Sequence, residues 1–204
     1  MRQADMTGKA RTAVLVSGGG TNLQAIIDFA AAGKLKHAEL ALVVSSREGA
    51  FALERASKAG IRTAVVAEKD PAAFESGLLS VLEENGIELI VLAGFMRILS
   101  LGFISRYKDR IINVHPSLIP SFCGKGFYGL RVHEAALGYG VKVTGATVHF
   151  VNEIPDGGRI IMQKAVRIME GDTPETLQRR VMEQAEWKLL PRALEKVAKE
   201  YVRK

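Results

Sequence analysis

Cysteine occurs once in the 204 residues, at Cys123, so no disulfide framework can form within the chain. A reducing compartment, the cytoplasm, is the expected setting. No apolar run approaches the ~20 residues that a membrane helix needs, so no membrane association is expected. The run "AVLV", preceded by Arg2, Lys9 and Arg11, is too short for the core of a secretion signal. Positive charge is in excess, with a net +6, but it is scattered. The C-terminal "KVAKEYVRK" alternates cations with Glu and apolar residues, as a solvated helix face does. That pattern suits solubility and attraction of small anionic substrates, not nucleic acid. The four histidines, at 37, 115, 133 and 149, include no close-spaced ligand pair, and no metal is expected. Repeats, linkers and low-complexity stretches are also missing.

What remains is an ordinary globular composition, 48% hydrophobic and 25% charged, with enough chain for one domain. Residues 1–11 read as a frayed lead-in and 12–204 as the domain. Through residue 115 the chain alternates. "TAVLVS", "AELALVVSS", "RTAVVA", "ELIVLAG" and "RIINVH" read as strands, and the segments between them as helices. One helix opens with Asp70 as N-cap and Pro71 in its first turn; the first ends at Gly33. Continuous apolar strands separated by helices predict a parallel sheet covered on both faces. After residue 115 the pattern changes. A loop rich in Gly and Pro leads to a short helix. Then "KVTGATVHFVN" and "RIIMQKAVRIM", joined by "EIPDGG", read as an antiparallel pair. A long C-terminal helix follows, with a bend expected at Pro191. The fold class is therefore α/β: a Rossmann-like, doubly wound, mostly parallel sheet with an antiparallel C-terminal portion and a long final helix.

Two segments carry chemistry. "AVLVSGGGTNLQAII" is strand, glycine loop and helix. Free N–H groups and the dipole at a helix start favour an anion there, and glycines let the backbone approach it. Leu23 stands where a dinucleotide fingerprint would have its third glycine, and no Gly-Lys-Ser/Thr follows, so a single phosphate fits best. The second segment, "IINVHPS", ends a buried strand with Asn113 and His115 before Pro116 stops the ladder. Ligands of open α/β sheets sit beyond the carboxyl ends of the strands. Asn can donate to a developing oxyanion and His can move a proton near neutral pH. No nucleophile elbow is present, and Cys123 reads as a loop thiol. The set suits acyl transfer between two bound substrates without a covalent enzyme intermediate. Asp156, in "EIPDGG", is the carboxylate best suited to orient His115 and favour its charged form, although Asp-Gly is also an ordinary turn.

The stretches "SGGGTNLQAII", "LAGFMRIL", "NVHPSLIPSF", "VTGATVHFVNEIPDGG" and "IIMQ" resemble the glycinamide ribonucleotide transformylases of purine synthesis, from about Ala13 to the final helix. The resemblance implies transfer of a formyl group from 10-formyltetrahydrofolate to the amine of 5′-phosphoribosylglycinamide, with no metal. It implies Asn113, His115 and Asp156 as the catalytic trio and Gly20, Thr21 and Asn22 as holders of the substrate phosphate. Met96, Arg97, Ile98 and Leu99 would line the folate pocket, His149 would support the site, and Glu186 would contact the acceptor. The implied partners are small molecules alone, and the chain would be a monomer or homodimer. Asn-x-His-Pro-Ser-Leu is shared by the wider formyltransferase group, whereas the glycine loop followed by Thr-Asn is the more selective sign of a phosphoribosyl acceptor. Two departures stand out. "SFCGKGFYGLRVH" is a few residues longer than its counterpart, and a substrate-binding Arg near "EKDPAAFES" has no match but Lys69. Related formyltransferases that act on tRNA or release formate carry a further domain, for which the chain has no room. A non-catalytic phosphate binder would leave Asn113, His115 and Asp156 without a reason.

Overall fold

Consecutive strand residues feed two different cores, which is why the strands read as unbroken apolar runs. Val14 and Val16 enter one core while Ala13 and Leu15 enter the other. Leu89 and Val91 part from Ile90 and Leu92, and Ile112 parts from Ile111, in the same way. In this computed structural model, which describes residues 8–203, seven strands form one sheet. They are β1 (Ala10–Val16), β2 (Ala38–Ser45), β3 (Arg62–Val65), β4 (Leu89–Leu92), β5 (Ile111–His115), β6 (Val143–Phe150) and β7 (Ile160–Arg167), in the order β3-β2-β1-β4-β5-β6-β7. The first five are parallel; β6 runs antiparallel to β5, and β7 to β6. The expected fold class is observed.

The helices are α1 (Thr21–Ala31), α2 (Phe51–Lys58), α3 (Pro71–Glu84), α4 (Leu101–Arg106), α5 (Leu130–Tyr139), α6 (Pro174–Val181) and α7 (Trp187–Val202). Helix α3 begins as its sequence dictates: Asp70 accepts from the Ala73 N–H at 2.8 Å, with Pro71 in the first turn. It buries Phe74, Leu78 and Leu82, a spacing of four, against the second core. Truncating Leu78 to Ala would cost about 2–5 kcal/mol.

Two expectations need correction. Most of the lead-in, residues 1–7, lies outside the described residues, and Ala10 and Arg11 already belong to β1. In the C-terminal helix the departure from α geometry is not at Pro191, which lies buried within α7. It is a π-helical turn at Met182–Glu186. Pro191 withholds the N–H that the Trp187 carbonyl would receive, which loosens the ladder upstream, where the wider turn sits. Ala185 and Glu186 are buried by that turn.

Candidate active site

Strand β5 is the seam of the sheet. It is parallel to β4 on one side and antiparallel to β6 on the other, so residues distant in sequence become cross-strand neighbours. Asn113 lies opposite His149, and His115 opposite Thr147. The loop after β6 then returns Asp156 to the same point. Its backbone takes a left-handed φ of 56°, and Gly158 allows the return, because a Cβ there would fall 1.7 Å from the Phe150 carbonyl oxygen.

The four polar side chains meet. His115 Nδ1 is 3.4 Å from Asp156 Oδ2, and His149 Nε2 is 3.5 Å from Asp156 Oδ1. His149 Nε2 is also 3.3 Å from Asn113 Nδ2, and its Nδ1 faces the Phe150 carbonyl at 2.8 Å. A neutral His149 carrying its proton on Nδ1 therefore accepts from Asn113; a charged one donates to Asp156. His115 and His149 are buried, and so is the still deeper His133, whose ring nitrogens have no hydrogen-bond partner among the described residues.

Burial works against ionisation of Asp156, but the His149 contact, the Gly124 N–H at 2.9 Å and the charge of His115 outweigh it and hold its carboxyl below the usual range. Asp156 pulls His115 toward its charged form, the expected direction, but does not decide the outcome. Burial is the stronger influence and takes its pKa below 6.5, although the Phe122 carbonyl and Asp156 both work the other way. Its Nε2 donates to that carbonyl at 2.9 Å. Phe122 holds a left-handed φ of 50°, unusual for so bulky a residue, and meets Phe127 and Tyr139 edge-on. The 121–133 loop is thus folded directly onto the imidazole and, through Gly124, onto Asp156.

Two strands along the sheet's carboxyl edge, after β1 and across β4, lies the glycine loop. Gly20 has φ 71°, and a Cβ there would lie 2.6 Å from Ala52 Cβ, so only glycine lets α2 pack this close. Thr21 and Asn22 open α1. The Asn22 Nδ2 donates to Glu186 Oε2 at 2.7 Å, which unites the loop with the acceptor residue expected in the C-terminal helix. Burial raises the Glu186 carboxyl above its ordinary pKa, against the pull of that hydrogen bond. Asn22 Oδ1 is buried without a partner among the described residues.

The segment expected to line a folate pocket divides. Met96 and Ile98 are exposed, Ile98 by 92%, whereas Leu99 packs into the second core. Arg97 stacks on Phe74 at 4.2 Å and donates to the Glu68 carbonyl. The Met96 N–H is held by Ser17 Oγ at 2.9 Å, and Ser17 in turn meets Ser46 Oγ at 2.7 Å, tying together the tips of β1, β2 and β4. Sequence reasoning missed this serine pair, and it missed Thr147. The Thr147 hydroxyl donates to the Ser117 carbonyl and receives the Ile119 N–H, fixing the turn after His115. Lys69 is exposed. Among the described residues no cluster of three or more metal-ligating side chains forms, and no helix is long and apolar enough to cross a membrane.

Comparison with known proteins places the chain by sequence and by fold. Residues 10–194 match the formyl transferase family. Phosphoribosylglycinamide formyltransferase of Escherichia coli K12 is 41% identical over 174 residues, covering 84% of this chain and 79% of that protein. The trifunctional purine biosynthetic protein adenosine-3 of Gallus gallus is 48% identical over 195 residues, or 94% of this chain. The chain spans about a fifth of the length of such trifunctional relatives. Glycinamide ribonucleotide transformylase 1 from Symbiobacterium toebii superposes with a TM-score of 0.87 at 39% identity, over 98% of this chain and 92% of that one. The chain belongs to the formyl transferase family, and within it to the branch of the phosphoribosylglycinamide formyltransferases.

Proposed function

We propose that the chain transfers a formyl group from 10-formyltetrahydrofolate to the amine of 5′-phosphoribosylglycinamide, a step of purine nucleotide synthesis. The observation that carries this reading is the convergence of Asn113, His115, His149 and Asp156 through contacts of 3.3–3.5 Å at the tip of β5. The folate supplies the formyl carbonyl and the leaving nitrogen. Asn113 has two amide N–H groups; His149 engages one, and the other is free to meet the oxyanion that develops as the amine attacks. Asp156, ionised, orients His115. A resting neutral His115 takes the proton from the attacking amine and returns it to the leaving nitrogen. Nε2 can take that proton only when the ring proton sits on Nδ1 and is donated to Asp156, so the transfer requires that tautomer and a Phe122 carbonyl, on the loop, that yields its place at Nε2.

The glycine loop, Thr21 and Asn22 hold the acceptor phosphate, with Glu186 alongside the acceptor. The apolar side chains of Met96 and Ile98, open to solvent, suit the face of a pterin. The test is an assay of folate deformylation by absorbance, with and without acceptor. Acceptor-dependent release is expected. Release without acceptor would indicate a deformylase, and no release from folded protein would overturn the reading.

A further inference from the structure

The glycine loop contains no cation of its own, yet it is expected to hold a dianionic phosphate. The structure brings one to it from α2. Arg55 Nε donates to the Gly19 carbonyl at 2.8 Å, and its Nη1 donates to Gln24 Oε1 at 3.0 Å, so the guanidinium spans from the loop to α1. Its stem lies over Gly20, with Cδ 3.5 Å from where a Cβ would stand, and the guanidinium stacks on Phe51 at 4.9 Å. The residue also lines a cleft of about 350 Å³ together with Thr21 and Trp187.

Peptide geometry gives this contact a consequence. In a trans peptide the C=O and the N–H of the next residue point in opposite directions. Fixing the Gly19 carbonyl toward Arg55 therefore fixes the Gly20 N–H away from α2. The neighbouring peptide is set likewise: the Ala52 N–H donates to the Gly18 carbonyl at 3.1 Å, which turns the Gly19 N–H the same way. Two successive loop amides are thus aimed outward, next to the unpaired N–H groups that start α1. Flexible glycines would otherwise leave those peptides free to rotate.

We propose that Arg55 is a positioning residue for the substrate phosphate: it locks the Gly19–Gly20 peptide so that the Gly20 N–H faces the anion, and its charge favours the anion beside Thr21. This inference rests on the phosphate reading of the glycine loop.

The probe is ribose 5-phosphate, titrated calorimetrically and by the fluorescence of Trp187, the one tryptophan in the chain. Ribose is the control ligand. Arg55→Met keeps the stem over Gly20 and removes the donors, and its Kd for ribose 5-phosphate is expected to rise about tenfold, the scale of one charge-assisted hydrogen bond. Arg55→Lys, which keeps one charge but cannot span both partners, is expected to fall between. In turnover, the acceptor KM should rise while kcat and the folate KM stay within about twofold. An unchanged Kd in Arg55→Met, or in Arg55→Lys should the first variant not fold, overturns the role of Arg55 alone. If the unaltered protein does not distinguish ribose 5-phosphate from ribose, the phosphate reading of the loop falls, and this inference with it.

Discussion

The two ends of the candidate site, after β1 and after β5, are built in different ways. At the glycine loop, backbone does the work: Gly20 lets α2 approach, peptide groups are aimed, and the one deeply buried ionisable side chain is a carboxyl, Glu186, that burial pushes toward neutrality. At the tip of β5, side chains do the work: two imidazoles, an amide and a carboxylate meet, with a third imidazole, His133, buried nearby. A backbone cradle can bind an anion but has no group that titrates near neutral pH. A cluster of imidazoles can move protons but offers little to a phosphate beyond charge. On the proposed reading, binding belongs to one end and chemistry to the other, and substitutions should separate them.

The largest effects are expected at the tip of β5. His115→Ala should lower kcat by about 10²–10⁴, the span of a lost general acid–base, with acceptor affinity retained. An unaltered kcat would remove His115 from the mechanism. Asn113→Ala should cost about 10²–10³ in kcat, the scale of one oxyanion donor. If that substitution instead raised KM at constant kcat, Asn113 would belong with the binding end.

The two ends should also respond to pH with opposite sign. His133 has its pKa pushed down to about 4, first by burial and then by the charge of His115, from an ordinary 6.5. The unfolded chain therefore binds a proton that the folded chain refuses, and stability falls as pH drops from about 6.5 toward 4. The loss should be about 2–3 kcal/mol and absent from His133→Leu. Glu186 is shifted the other way, above its ordinary 4.5. Its contribution is complete below pH 4.5 and declines as pH rises through the folded-state value, so Glu186→Gln should flatten that alkaline decline. Thermal melts of the three proteins between pH 4 and 8 decide this. Parallel profiles for Glu186→Gln and the parent would mean that the Glu186 carboxyl is solvated.

How much of this could be read beforehand depended on whether the cause was local. The strands, the Asp70 cap and the glycine loop are set by neighbours within a few residues, and the sequence shows them. Asn113 and His115 were legible because proline ends their strand. Their assembly with His149 follows from the antiparallel register of β5 and β6, a pairing that no short window contains. Arg55 left no local signal: in "LERASK" it reads as one charge of a solvated helix face. Only the adjacency of β1 and β2 brings α2 over the glycine loop, 36 residues away in sequence. Pro191 misled in the opposite sense, since a visible helix breaker displaced its effect upstream into the π turn that buries Glu186.

The smallest effect tests the binding end from within. Thr21→Val removes one hydroxyl at the helix start and should raise the acceptor KM about three- to tenfold, leaving kcat and the folate KM unchanged. Asn22→Ala should raise the acceptor KM to a similar degree, but it also takes away the donor that Glu186 holds at 2.7 Å. A buried carboxyl that loses its donor is pushed further toward the neutral form. The stability of Asn22→Ala should therefore decline with rising pH more steeply than that of the parent, whereas the Thr21→Val profile should superimpose on it. Equal profiles for both variants would show that Asn22 and Glu186 act independently, and the glycine loop and the C-terminal helix would then be two contacts with the acceptor instead of one coupled wall.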